Sequence, residues 1–209
     1  MLNSRVAALT SGGFDSNVLL GEMIRKYGTV YPIYIRGGHV WEKAEIYWLR
    51  RFLRSLHSNR LKPLTVLTVP VTDLYRQGWQ VTGRNVPGYR SRDQEVYLPG
   101  RNLLLLAKVA TFCALRKIPT LAIGSLAGNP FPDSTHSFFA RMGRVASDAL
   151  GFQLRVIAPF SRLKKREVMK KGHGLPLHLS FSCLSPKGIK PCGRCNKCAE
   201  RDRIKNSAI

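Results

Sequence analysis

The sequence predicts an α/β fold in which helices doubly wind a five-stranded parallel sheet, with a small cysteine-bearing segment at the C-terminus. Three observations predict it. Short apolar, β-rich runs alternate with amphipathic helical stretches through residues 5–171, which is the pattern of repeated βαβ units. A glycine turn joins the first strand directly to the first helix. Four cysteines crowd into residues 183–198. Right-handed crossovers make a doubly wound sheet the expected topology.

Each element has its own reason. Residues 5–9 are short and apolar, as a strand covered on both faces should be. Residues 10–16 (TSGGFDS) form the turn. Val18, Leu19, Leu20, Met23 and Ile24 mark one face of a helix over 17–27, stopped by Gly28. Residues 30–35 alternate weakly and read as the second strand. A long amphipathic helix follows over 41–56, then a third strand over 64–69, ended by Pro70. Residues 71–98 show no period and read as a long loop, a feature that is often functional in a compact domain. An apolar helix over 101–116, a strand over 120–125 and a turn over 128–133 come next. A helix over 134–150, a strand over 154–157 and a short basic helix over 164–171 complete the unit. Two segments result: an α/β domain at 1–172 and a cysteine segment at 173–209.

The chain has 209 residues, 44% of them hydrophobic, enough for a proper core and against a disordered basic tail. No stretch approaches the roughly 18–20 apolar residues of a membrane helix. The strand-like run begins by Val6 and leaves no room for a signal peptide. A cytoplasmic protein with no membrane partner is expected. Net charge is +22, and residues 155–209 hold 14 basic against 3 acidic residues. Such an excess suits either a nucleic-acid partner or a basic, solvated surface.

Ligands of doubly wound sheets bind beyond the carboxyl ends of the strands. The candidate turns there are Ser11-Gly12-Gly13, Gly37-Gly38-His39, the 71–98 loop and residues 129–133. In S-G-G-x-D-S, glycine lets backbone N–H groups approach an anion, and the helix start adds a positive end. Ser11 and Ser16 supply hydroxyls, and Asp15 supplies a ligand for Mg²⁺. The lysine of the Walker A loop is absent, and so is the dinucleotide G-x-G-x-x-G pattern. Taken alone, S-G-G is equally an ordinary βα turn. The full S-G-G-x-D-S is more specific and resembles the loop of the ATP pyrophosphatases.

Cys183, Cys192, Cys195 and Cys198 are spaced C-x8-C-x2-C-x2-C. Overlapping C-x-x-C knuckles plus a returning fourth cysteine make a closed four-thiolate site, the donor set of structural Zn²⁺. An iron–sulfur cluster and a redox pair are the competing readings. Disulfides do not suit a cytosolic chain. Cys113 lies in the apolar helix and reads as core.

With both motifs in hand, the chain resembles the 7-cyano-7-deazaguanine synthase family of the queuosine pathway, as a divergent subgroup. The resemblance spans essentially the whole chain. It rests on residues 11–16, Leu98-Pro99-Gly100-Arg101-Asn102, Pro132-Asp133, Lys165-x-Glu167, Ser182-Cys183 and the three later cysteines. It implies an adenine nucleotide alpha hydrolase-like fold and an ATP-dependent ligase. Two rounds of adenylation convert 7-carboxy-7-deazaguanine and ammonia to the nitrile. It implies ATP, Mg²⁺ and Zn²⁺, and a homodimer.

By position, Ser11, Gly12, Gly13, Phe14 and Ser16 would cradle pyrophosphate, with Asp15 near Mg²⁺ and Lys165 reaching the phosphates. Gly100, Arg101, Asn102 and Gly124 would border nucleotide or substrate, with Arg101 also catalytic. His39 and Asp133 would meet the substrate. His39 is otherwise a plain loop residue, Asp133 a cap for the helix beginning at Ser134, and Lys165 or Arg101 a surface cation. The chain departs from the family at Arg36-Gly37-Gly38-His39, at Phe131 to Thr135, where a Cys and an Arg are missing, and at Leu184 in place of an aromatic. Two further readings stand beside this one. The +22 charge and the basic last quarter motivate a related enzyme that adenylates a deazaguanine or other base to modify tRNA, DNA or protein. The other is a non-catalytic nucleotide-binding or zinc-tail interaction module, against which the retention of Asp15, both serines and Lys165 argues.

Overall fold

The computed structural model describes residues 4–207; the outermost ends of the two expected segments, 1–3 and 208–209, lie outside the described residues. The strands β1 (Arg5–Leu9), β2 (Thr29–Arg36), β3 (Thr65–Thr68), β4 (Thr120–Ala122) and β5 (Arg155–Ile157) form one sheet. The order is β3-β2-β1-β4-β5 and every pairing is parallel. The order reverses beside β1, which pairs with β2 on one side and β4 on the other. Pro32, which has no N–H to donate, lies opposite Ala8 and just before β3 begins to pair at Ile33.

The central strand is buried on both faces. Ala7 packs with Leu106, Val109 and Cys113 of α5 (Arg101–Leu115) and with Phe139 and Ala146 of α6 (His136–Leu150). Val6 and Ala8 pack with Val18, Leu19 and Met23 of α1 (Phe14–Lys26), Phe52 of α2 (Glu42–Ser55) and Val168 of α7 (Lys165–Lys171). Cys113 is fully buried in the first of these layers, and burial pushes its thiol up to about 12.

Several boundaries differ from expectation for local reasons. The first helix begins at Phe14, not Asn17, with Gly13 as its cap residue. Helix α6 begins at His136, because the Thr135 hydroxyl accepts from the Phe138 N–H at 3.1 Å. β4 closes at Ala122, although Ile123 and Gly124 continue the chain towards the site. The 71–98 stretch is not a bare loop. It holds two single-turn helices, α3 (Thr72–Tyr75) and α4 (Trp79–Thr82), and a 3-10 turn at Asp93–Val96.

The C-terminal stretch ends in a helix that periodicity did not predict, α8 (Asn196–Ser207). It is anchored from its first turn: Cys198 and Ala199 are buried, and the Asn196 amide donates to the Ser91 carbonyl at 2.8 Å. Phe181, Cys183, Leu184, Cys195 and Cys198 form one cluster with Ala44, Trp48 and Trp79. The Phe181 N–H donates to the Gly12 carbonyl at 2.9 Å, so this segment is clipped onto the glycine turn.

Candidate functional site

A cleft of about 1130 Å³ opens at the carboxyl ends of the strands. Its wall includes Ser11, Gly13, Phe14, Asp15 and Ser16 from the turn, Gly124 from the β4 side, Lys165 from α7, and Arg101 and Asn102 from α5. His39 and Asp133 also line it. Gly12 and Gly100 do not border it. Gly12 has φ +80°, and an added Cβ would sit 3.1 Å from Leu49 Cβ. It is there so that the turn can press against α2. Gly100 has φ +73° and opens α5.

The turn is held by its own hydroxyls. Ser16 Oγ donates to the Gly13 carbonyl at 2.9 Å and accepts from the Ser11 N–H at 3.3 Å. Ser11 Oγ lies 3.4 Å from both Ser16 Oγ and the Gly13 nitrogen. Gly124 lets the β4 end approach this helix start: a Cβ there would lie 3.4 Å from the Asp15 carbonyl oxygen.

Lys165 Nζ donates to both Asp15 oxygens at 2.8 Å and to Glu200 Oε1 at 2.8 Å. Lys197 closes the chain of charges on Glu200 Oε2 at 2.8 Å. Burial raises the Asp15 pKa, against the pull of Lys165. Burial also works against the Glu200 anion, but Lys197 and Lys165 outweigh it and hold the group at about 2. The two carboxylates outweigh desolvation at Lys165 and raise its pKa, so it stays a cation. Glu200 and Lys197 were not expected, since they stand on the helix that periodicity missed.

Asp133 caps α5, not the helix that follows it. Its Oδ2 accepts from the Asn102 N–H at 2.9 Å, and its carbonyl accepts from Asn102 Nδ2 at 2.9 Å. These two bonds fix the start of α5 and with it Arg101 on the wall of the cleft. The Gly37-Gly38-His39 turn is already occupied: Glu42 Oε1 accepts from all three N–H groups, at 2.5, 2.9 and 3.1 Å. It is therefore no anion nest. His39 stacks on Trp41 at 4.6 Å. Burial, then the Arg101 charge, push its pKa down to about 4, so the ring is neutral.

Other lining residues were not singled out from the sequence. Trp41 and Trp79 lie 5.6 Å apart, and Tyr97 stacks on Phe131 at 4.9 Å. Glu45 accepts from the Tyr34 hydroxyl at 2.7 Å, and burial raises its pKa to about 7. One signal was available: Glu45 shares a helical stripe with buried Leu49 and Phe52, where a solvated charge does not belong.

Beside the cleft, the sulfurs of Cys183, Cys192, Cys195 and Cys198 all lie within 4.8 Å of one another. Adjacent pairs are 3.5 to 4.0 Å apart. A tetrahedral zinc with Zn–S of about 2.3 Å needs sulfurs about 3.8 Å apart, so the donor set fits. Contact with the Cys183 sulfur, and then with that of Cys198, pushes the Cys195 thiol well down. Cys183 alone of the four borders the cleft.

Several known proteins resemble this chain along most of its length. The 7-cyano-7-deazaguanine synthase 1 of Desulfitobacterium hafniense is 28% identical over 97% of this chain and 92% of its own length. The 7-cyano-7-deazaguanine synthase of Methanothermobacter thermautotrophicus is 27% identical over 95% of this chain and 93% of its own. Among solved structures, a U34-tRNA thiolase from Methanococcus maripaludis with its [4Fe-4S] cluster has a TM-score of 0.53 at 15% identity, over 98% of this chain and 65% of its own. A predicted subunit of a tRNA methyltransferase from Methanocaldococcus jannaschii has a TM-score of 0.51 at 15% identity, over 80% of this chain and 73% of its own. These two share the fold. A family model described as queuosine biosynthesis protein QueC matches residues 5–207, and the chain belongs to that family.

Proposed function

We propose that the protein is an ATP-dependent ligase that converts 7-carboxy-7-deazaguanine and ammonia to 7-cyano-7-deazaguanine, releasing AMP and pyrophosphate. The observation that carries this reading is the pyrophosphate-type turn facing Lys165 in a cleft with aromatic walls. Family membership and the names of the relatives support the same substrate.

A carboxylate is a poor electrophile until its oxygen is made a good leaving group. The substrate carboxylate attacks the α-phosphorus of ATP and pyrophosphate leaves. Ammonia then attacks the carboxyl carbon and displaces AMP, giving an amide. The amide oxygen is adenylated in turn, and loss of AMP and protons from nitrogen leaves the nitrile. The start of α1 faces the departing pyrophosphate, and the Ser11 and Gly13 N–H groups and the Ser16 hydroxyl, which bond one another within the turn, would exchange those bonds for phosphate oxygens. Lys165 neutralises its developing charge. Asp15, beside that turn, would hold Mg²⁺ once Lys165, which bonds both its oxygens, turns to the phosphates, and the ion would supply charge neutralisation when bound. Gly124 borders the cleft beside Asp15, Gly100 opens the helix that carries Arg101, and Arg101 faces the acid.

The four-cysteine group holds structural Zn²⁺ in this reading, with metal analysis against iron content as its check. Residues 1–172 act as the adenylating domain and 173–209 as the metal-clamped segment of a cytoplasmic homodimer. The test is direct: protein, ATP, Mg²⁺, ammonium and the 7-carboxy base, read by product mass. Nitrile is expected, and Asp15→Asn should abolish it. Pyrophosphate release with no nitrile would overturn the reading.

A second reading rests on the charge. The excess of +22 outnumbers the anions that the cleft accommodates, and a nucleic-acid partner would use the remainder.

A further inference from the structure

We propose that Glu45 and Arg101 form the recognition pair for the heterocycle. The Glu45 carboxylate reads the donor–donor edge of a guanine-type base, and the Arg101 guanidinium holds an anionic substituent on its five-membered ring. This rests on the reading above and deepens it, since it assigns selectivity for the base to one carboxylate.

Glu45 stands in the first turn of α2, directly behind the phosphate turn. Its backbone carbonyl would lie 3.3 Å from a Cβ at Gly12. A base held by its side chain is therefore adjacent to the nucleotide phosphates. The Tyr34 hydroxyl donates to Oε2 and orients the carboxylate. Among the described residues no second donor reaches it, and the group lines the cleft.

Arg101 is in the complementary state. Its Nε is buried with no hydrogen-bond partner, and no ion pair reaches its guanidinium among the described residues. A buried donor without a partner is costly, and a ligand that supplies one relieves that cost. His39 Nδ1 is likewise buried and unpartnered. The His39–Trp41 stack and Trp79 provide flat walls between these groups.

The chemistry selects the ligand class. A guanine-type edge presents ring N1–H beside an exocyclic NH₂, two donors side by side, which suits a carboxylate with two acceptor oxygens. An adenine-type edge presents one donor beside a lone pair and leaves a Glu45 oxygen facing that lone pair. A site built to hydrogen-bond a group rejects the analogue that lacks it.

Binding of 7-deazaguanine and 7-deazaadenine to the intact protein, followed by calorimetry, tests this without turnover. The wild type should favour 7-deazaguanine by about tenfold or more, the discrimination of one good bidentate pair. Glu45→Gln, which turns one acceptor into a donor, should bring that ratio near one. Tyr34→Phe, which keeps the charge and loses the orienting hydroxyl, should lower it in a fully folded protein. Arg101→Gln should weaken the 7-carboxy base by about tenfold and 7-deazaguanine little. Equal wild-type affinities, or an unchanged ratio in both the Glu45 and Tyr34 variants, would overturn the proposal. The two readings fail separately. Selective binding without nitrile formation removes the reaction and keeps the pair. Nitrile formation with an unaltered KM for the base in Glu45→Gln removes the pair and keeps the reaction.

Discussion

Two neighbouring glutamates on α2 illustrate how different a carboxylate's task becomes within one turn of helix. Glu42 is buried and serves the backbone, since three N–H groups of the 37–39 turn converge on one oxygen. Glu42→Ala should lower unfolding free energy by about 2–4 kcal/mol in urea titrations, because several donors lose their acceptor at once. Glu45 lines the cleft with a single donor, and burial raises it from 4.5 to about 7, with Tyr34 and Arg101 opposing and Glu42 adding to the rise. The folded protein therefore keeps a proton that the unfolded chain releases at lower pH. The resulting stability is complete below about 4.5 and is lost as pH rises through about 7. His39, pushed down from 6.5 to about 4, works the other way and adds stability as pH rises towards 6.5. Unfolding measured at pH 5 and pH 8 should therefore change little in the wild type, whereas Glu45→Gln, which keeps only the His39 effect, should gain on the order of 2 kcal/mol between those values and be more stable than wild type at pH 8.

At the scale of elements, α8 ties the cysteine group to the phosphate turn. Its first turn carries Cys198, and its neighbours Lys197 and Glu200 carry the ion pairs that lead to Lys165. Chelation of the metal, or Cys195→Ser, should lower the melting temperature and raise the KM for ATP together, because metal binding and folding are linked in such sites. Glu200→Gln should keep its metal and its fold yet raise the KM for ATP by up to about tenfold, the worth of one charge-assisted hydrogen bond. The strands and the large helices were legible because their apolar positions follow two plain periods. The four-cysteine group was legible because cysteine spacing is itself geometry. What escaped was set by tertiary contact. α8 has no apolar stripe; its start is held by sulfur and by Asn196 on the 71–98 stretch. α3 and α4 are four residues each, too short for any period to emerge. Asp133 looked like a cap for the nearest helix and instead caps α5, 31 residues away.

At the scale of the molecule, the charge has a location. Arg50, Arg51 and Arg54 are exposed on the outer face of α2. Lys187, Lys190 and Arg194 are exposed on the hairpin between the first two cysteines and just beyond it. The Trp48 indole N–H donates to the Ile189 carbonyl at 2.8 Å and holds the hairpin against α2, and Arg51 lies over the Trp48 ring. Helix and hairpin thus meet as one basic face beside the cysteine group. Such a face attracts polyanions through counterion release, so affinity falls linearly with salt on logarithmic axes, by about 0.7 per neutralised phosphate on single strands. A labelled single-stranded RNA followed by anisotropy should bind at low salt with a steep slope. Replacing Lys187, Lys190 and Arg194 together with Ala should reduce that slope by up to about 2. Turnover of the free base should be unchanged, because none of the three borders the cleft. A flat salt response in the wild type would assign this face to solvent and leave the small-molecule ligase as the whole function.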